Sequence, residues 1–141
     1  MFNSHIRKMA SEQLVSMDLL EKGYMVLKPL TDIIENYDLA VDNNGILLKV
    51  QVKSGRTDEV GRMLIDIRRS SVVKGSRHYE DSAYDVLAIA NIETRQVIYI
   101  KKSDLTAKAS MNVWWCEKDK IPYDNGKQNR FHYKDYMEFS I

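Results

Sequence analysis

The sequence predicts an α/β domain in which a mixed sheet packs with helices. Two observations support this class: an amphipathic helical segment lies near the start, and several short strand-like runs follow it. A chain of 141 residues, of which 44% are hydrophobic, is long enough to bury a core of ordinary size. We therefore expect residues 1–141 to form a single domain.

The first predicted element is a helix that begins near Ser4, a good N-cap residue, and runs to about Lys22. Gly23 follows it and suits the left-handed conformation that often ends a helix. One broad side of this helix carries a mostly apolar set, and further apolar residues occupy most of the remaining surface, so we expect packing on more than one side. The broad side consists of Ile6, Met9, Ala10, Gln13, Met17 and Leu20.

The clearest local signal is a β-hairpin over residues 37–53. The Asn44-Gly45 pair is typical of a two-residue hairpin turn, and residues 49–53 alternate apolar and polar side chains as a strand does. If Asn43 pairs with Ile46, the register places Asp38 opposite Gln51 on one face of the sheet. Lys53 lies on the same face, two residues further along.

The remaining elements are predicted from short apolar runs. We expect strands near residues 24–27, 62–68, 84–91, 97–100 and 112–116, with the apolar run 84–91 in the middle of the sheet. Residues 70–83 are polar and basic, which predicts a loop. Ser103 is a candidate cap for a short turn or helix that extends to residue 109, and at least one of Trp114 and Trp115 should belong to the core.

Composition narrows the functional classes. The formal net charge of +1 gives no overall sign of nucleic-acid binding, but basic residues outnumber acidic ones between residues 53 and 77. The only cysteine, Cys116, cannot form an internal disulfide, and the start of the chain lacks the apolar core of a signal peptide. We therefore expect a soluble cytoplasmic protein.

The hairpin brings together groups that suit phosphodiester hydrolysis. Hard cations such as Mg²⁺ prefer oxygen ligands, which Asp38, the side chain of Gln51 and the backbone carbonyl of Val52 can provide. Lys53 has no acceptor, so it is expected to orient or deprotonate the attacking water, or to offset charge in the transition state. Glu12 on the preceding helix can serve as an outer acid or second ligand. Asp42 is a rival acid on the same face, but its place beside the turn favours a role at the hairpin's end.

These residues resemble the PD-(D/E)XK nuclease superfamily, and more narrowly its intron-encoded homing endonucleases from cyanobacteria and phages. The resemblance extends over most of the chain and is carried by Glu12, Tyr37-Asp38, Gln51-Val52-Lys53 and the runs 84–87 and 97–100. It implies a restriction-endonuclease-like core, a mixed sheet with flanking helices, and catalytic Glu12, Asp38, Gln51 and Lys53. It also implies Mg²⁺, for which Mn²⁺ can substitute, and a homodimer or tetramer acting on long double-stranded DNA sites. In two positions the chain departs from the superfamily pattern: Tyr37 replaces proline, and Gln51 replaces an acid, as in the homing group.

A DNA backbone has to pass the proposed site, and arginine and lysine are the residues that contact phosphates. The candidates for this contact are Arg56, Arg68, Arg69, Lys74 and Arg77. Three alternatives to a homing endonuclease remain open at this point: a Holliday-junction resolvase or repair nuclease, a DNA-binding protein without cleavage, and a small interaction module.

Overall fold

We describe the protein from a computed structural model. The structure describes residues 3–31, 36–71, 75–77, 83–105, 109–122 and 130–139. Within these ranges it contains one α-helix, α1 (Ser4–Glu21), and ten strands. The strands are β1 (Met25–Leu27), β2 (Leu39–Asn43), β3 (Ile46–Ser54), β4 (Arg62–Asp66), β5 (Arg69–Ser71), β6 (Gly75–Arg77), β7 (Val86–Asn91), β8 (Gln96–Lys101), β9 (Ser110–Trp114) and β10 (Arg130–His132).

The strands form three sheets. The largest has the order β1-β2-β3-β7-β8, and only its β3–β7 pair is parallel. A second sheet has the order β10-β9-β4, and β5 pairs with β6 in a third. The α/β class with mixed sheets is therefore confirmed. Residues 70–83 were predicted to be a loop, which is wrong for the segments that pair as β5 and β6; residues 72–74 and 78–82 lie outside the described part.

The hairpin has the predicted register. Asn43 pairs with Ile46 and Leu39 with Val50, so the ladder leads directly to Asp38, whose N–H donates to the Val50 carbonyl over 2.9 Å. Asn44 and Gly45 both have positive φ, 54° and 89°, which is the backbone that a two-residue turn of this kind requires. The Asp42 carboxylate accepts a hydrogen bond of 2.7 Å from the Gly45 N–H, as expected for an acid that serves the turn.

The N-cap prediction is corrected by one residue. Asn3 has an extended backbone and its side chain accepts a 2.9 Å hydrogen bond from the Ile6 N–H, whereas Ser4 is already helical. Gly23 has φ of +90° and ends the helix as predicted. Ser103 is likewise not a cap but the middle residue of a 3₁₀ turn over Lys102–Asp104.

Two apolar layers enclose the β7–β8 side of the large sheet. The layer on the α1 side includes Val15, Leu19, Val50 and Ala88. The opposite layer joins Leu87 and Ile98 to residues of the β10-β9-β4 sheet, among them Met63, Val113 and Phe131. All six residues of β7 are therefore buried. This strand is interior, but the middle position belongs to β3. Trp114 is only 5% exposed, which confirms that one tryptophan belongs to the buried interior.

Candidate active site

Hydrogen bonds from the sheet hold the Asp38 carboxylate in place at the centre of the site. It lies immediately before β2, and its Oδ2 accepts two hydrogen bonds from β3: one of 2.8 Å from the Val52 N–H and one of 2.9 Å from Gln51 Nε2. Its side chain is 9% exposed. Because both donors belong to a strand in the middle of the sheet, the carboxylate is fixed at the end of the β2–β3 ladder.

Gln51 is buried and oriented by its amide nitrogen. Nε2 donates to Asp38 Oδ2 and also lies 3.4 Å from the Val52 carbonyl oxygen. The other end of the amide, Oε1, is buried without a hydrogen-bond partner among the described residues. Leaving a buried acceptor unpaired costs free energy, so this oxygen indicates a partner that the protein alone does not provide.

Glu12 approaches the same carboxylate from α1. Burial and the negative charge of the adjacent Asp38 raise the pKa of Glu12, while Lys28 and Lys8 partly offset that effect. Lys28 Nζ lies 3.6 Å from Glu12 Oε2. Two carboxyl groups thus meet at one point, and each of them gains from a nearby positive charge.

Lys53 lies near Asp38 on the same strand as Gln51. Its Nζ donates to the Arg68 carbonyl over 3.2 Å, so the side chain is directed to the segment that follows β4. Burial lowers the pKa of Lys53 below its usual value, although Asp66 and Asp38 act in the opposite direction. A lysine with a lowered pKa can release a proton more readily than one at the surface, which suits a role in proton transfer.

Two further lysines belong to this site, and neither was predicted from the sequence. Lys8 Nζ lies 3.9 Å from Asp38 Oδ1, and Lys28 pairs with Glu12 as described. Lys8 could have been found because it precedes Glu12 by one helical turn and so shares its face of α1. Lys28 comes directly after the last residue of β1, and no periodicity connects it to the hairpin.

The site suits a hard cation better than a soft one. The described residues contain no cluster of three or more His, Cys, Asp and Glu side chains with metal-binding geometry. What they provide are oxygen atoms: the carboxylates of Asp38 and Glu12, the Val52 carbonyl and the orphaned Gln51 Oε1. Mg²⁺ commonly binds through one or two carboxylates and keeps several waters, so this donor set fits it.

The predicted DNA-binding residues are only partly described. Arg56 is exposed near the end of β3, and Arg68 forms an ion pair with Asp66 at 3.0 Å. Arg69 and Arg77 lie opposite each other in the β5–β6 pair, but their side chains lie outside the described part, as does all of Lys74. The structure thus brings Glu12, Asp38, Gln51, Val52 and Lys53 together, and it leaves the basic patch as a prediction.

The chain matches a known protein family and a solved structure. The family model for the PD-(D/E)XK endonuclease matches residues 3–139. The structure is similar to that of a bacterial homing endonuclease, I-Ssp6803I, with a TM-score of 0.67 and 28% sequence identity over 84% of this chain and 80% of that one. No curated protein sequence matches the chain. None of the described helices is long and apolar enough to cross a membrane.

Proposed function

Because the chain belongs to the PD-(D/E)XK endonuclease family, we propose that it is a sequence-specific, metal-dependent homing endonuclease that hydrolyses double-stranded DNA. The observation that carries the proposal is the convergence of Asp38, Gln51 and Lys53 on one face of the hairpin, with Glu12 against Asp38. The similarity to a bacterial homing endonuclease supports the homing assignment. A cytoplasmic location is consistent with a chain that has one cysteine.

Asp38, the Val52 carbonyl, Gln51 and Glu12 are the proposed ligands for Mg²⁺, with Mn²⁺ as a substitute. A bound cation would neutralise the phosphate and lower the pKa of a water molecule. Gln51 Nε2 now donates to two of the proposed ligand oxygens, so the side chain must turn its amide by half a rotation to present Oε1 instead. That turn directs Oε1 to the ligand set and removes a donor from it, and Nε2 then takes the buried position that Oε1 now occupies.

Lys53 is the proposed proton acceptor. Its amine, when neutral, takes a proton from the attacking water; the water oxygen forms a bond to phosphorus and the bond from phosphorus to the leaving oxygen breaks. The lowered pKa makes the neutral amine accessible at lower pH than for an exposed lysine. The hydrogen bond to the Arg68 carbonyl fixes the amine in place.

DNA affinity is assigned to Arg56, Arg68, Arg69, Lys74 and Arg77. To bind a phosphate, Arg68 must give up its ion pair with Asp66 or contact both groups at once. This ion pair is exposed to solvent, so breaking it costs little free energy. Replacing Arg68 and Arg69 with alanine should weaken binding and reduce its salt dependence. Unchanged affinity in that double variant would show that the patch is misassigned.

The function is tested by sequencing the DNA ends formed when host genomic DNA is incubated with the protein and Mg²⁺. Parallel samples contain EDTA, Asp38→Ala or Lys53→Met. Ends at one or a few loci that are absent from all three controls are the expected result. A preference for branched over linear duplex would instead assign a resolvase or repair role.

One observation favours a second candidate, a DNA-binding protein that does not cleave. Gln51 replaces a charged ligand with a neutral one, and its nitrogen rather than its oxygen faces Asp38. Tight DNA binding without Mg²⁺-dependent ends in the same experiment would support this candidate over the nuclease.

A further inference from the structure

Two exposed lysines lie against the carboxylates of the candidate active site. Lys8 Nζ is 3.9 Å from Asp38 Oδ1, and Lys28 Nζ is 3.6 Å from Glu12 Oε2. The side chains of the two lysines are 66% and 56% exposed, whereas those of Asp38 and Glu12 are 9% and 13% exposed. Each pair thus joins a mostly buried carboxylate to an ammonium group on a solvent-exposed side chain.

Both lysines lie beside proposed ligands of the cation. Asp38 Oδ2 accepts both hydrogen bonds from β3, and Lys8 lies at the other oxygen, Oδ1. A cation can therefore bind Oδ1 without breaking a bond to the sheet. Lys28 lies at Glu12, the second carboxylate of the proposed ligand set. When both carboxylates are ionised, the two ammonium groups balance their charge, which is what a divalent cation would do in the same place.

From this placement we infer that Lys8 and Lys28 stabilise the two carboxylates before the cation binds and bind DNA phosphates afterwards. A cation on Asp38 and Glu12 repels both ammonium groups. The lysines can leave readily, because both distances are too long for a hydrogen bond and an exposed ion pair costs little to break. Their long side chains then remain beside the site that the DNA backbone has to pass. The inference deepens the proposed function and rests on it.

This exchange of partners couples cation binding to DNA binding. Before the cation binds, a phosphate must compete with a carboxylate for each lysine, and afterwards it need not. The cation should therefore strengthen DNA binding through the lysines. DNA should strengthen cation binding by the same factor, because coupling between two binding sites is reciprocal. A lysine that contacted phosphate in both states, or that only stabilised the fold, would not make DNA binding depend on the cation in this way.

The first test is the salt dependence of DNA binding, measured by fluorescence anisotropy with a duplex of random sequence. With saturating Ca²⁺, the double variant Lys8→Met, Lys28→Met should have a slope of log affinity against log salt concentration that is less steep than the parent's by about 2, close to one for each lost phosphate contact. In EDTA, the double variant should have the slope of the parent. Equal slopes with Ca²⁺, or an equal reduction in EDTA, would overturn the inference.

The matched control for this test is Lys22→Met. Lys22 belongs to the same helix and also pairs with a carboxylate, that of Asp18 at 3.3 Å, but Asp18 is not a proposed ligand of the cation. Any effect of Lys22→Met on the slope should therefore be the same in EDTA and in Ca²⁺. An effect that appears only with Ca²⁺ would overturn the inference, because release from a cation ligand would not be its cause.

The second test is Ca²⁺ affinity without DNA, measured by isothermal titration calorimetry at pH 8. Lys8→Met, Lys28→Met should bind Ca²⁺ at least about fivefold more tightly than the parent, since no ammonium group has to be displaced. Lys8→Arg, Lys28→Arg keeps both charges and should bind Ca²⁺ as the parent does. Equal Ca²⁺ affinity of the methionine variant and the parent would overturn the inference.

Neither test involves cleavage, so a failure of this inference and a failure of the nuclease function are distinguishable. The expected slopes and affinities can be found in a protein that does not cut DNA, and would then support the inference while the nuclease function fails. A parent that cuts DNA but has the same slopes as the double variant would overturn the inference alone. A parent that binds no Ca²⁺ would overturn both the inference and the proposed cation site.

Discussion

The hydrogen bond from Gln51 to Asp38 predicts how much stability the protein loses when Gln51 is replaced by glutamate. Gln51→Glu replaces the nitrogen that donates to Asp38 Oδ2 over 2.9 Å with an oxygen, and it adds a third carboxyl group beside Asp38 and Glu12. Loss of a hydrogen bond to a charged group costs about 1.5 to 3 kcal/mol. The new carboxyl can instead become protonated and donate to Asp38, which at pH 7 costs about 3.7 kcal/mol for a group with an ordinary pKa near 4.3. Without metal, the variant should therefore be less stable than the parent by about 1.5 to 3.7 kcal/mol.

The stability difference between Gln51→Glu and the parent should depend on pH. The environment raises the pKa of the new carboxyl in the folded protein, so the penalty grows as the pH rises from the ordinary pKa to the raised one, and it disappears as the pH falls toward the ordinary pKa. A divalent cation should reduce this loss of stability, because the new carboxylate can bind it as a ligand. Ca²⁺, which binds oxygen ligands, should raise the stability of Gln51→Glu more than that of the parent.

The assay is chemical denaturation at pH 7 and at pH 5, with EDTA or Ca²⁺. Gln51→Met is the matched control: it loses the same hydrogen bond without adding charge, so its stability relative to the parent should change little with pH, and Ca²⁺ should stabilise it no more than it stabilises the parent. A Gln51→Glu variant that is as stable as the parent in EDTA, or that Ca²⁺ stabilises no more than it stabilises the parent, would contradict this prediction.

Three further predictions follow from the same site. Lys53→Arg keeps the positive charge but cannot release a proton, so the cleavage rate should fall by at least about 100-fold. In a pH–rate profile, the rate of the parent should rise with pH and level off below the usual lysine pKa of 10.5, and this rise should be absent from the variant. Glu12→Gln should increase the free energy of unfolding in EDTA at pH 7.5, because burial and Asp38 raise the pKa of Glu12 and disfavour its charged form. This gain in stability should disappear below pH 4.5. Denaturation curves that show no gain at pH 7.5 would contradict the prediction. Lys8→Met and Lys28→Met should each reduce the slope of log DNA affinity against log salt concentration by about 1, as measured by fluorescence anisotropy with Ca²⁺. The control is Lys118→Met, which removes an amine that pairs with Asp135 and should leave the slope unchanged.

The hairpin could be predicted because its signals are local. Asn44-Gly45 determines the turn, the turn determines the register, and the register alone places Asp38 opposite Gln51. The extent of the helix was also predicted to within a residue at each end. Its cap was not, because Asn3 and Ser4 are both good capping residues and the sequence does not say which of them adopts the extended backbone.

What could not be predicted depends on contacts between distant segments. Lys28 reaches Glu12 only because β1 pairs with β2, and the strands β5 and β6 form in a segment whose polar composition is typical of a loop. The orientation of the Gln51 amide has no sequence signal at all, since it follows from two acceptors contributed by Asp38 and Val52.

The central claim is that Asp38, Val52 and Gln51 bind the catalytic cation. The most direct measurement is anomalous scattering at the manganese edge from a crystal grown with Mn²⁺. We expect one peak, at about 2.0 to 2.2 Å from an Asp38 oxygen, the Val52 carbonyl and Gln51 Oε1, with Nε2 turned away from Asp38. A peak elsewhere, or Gln51 Nε2 still donating to Asp38 in a protein that cleaves DNA with Mn²⁺, would contradict the account.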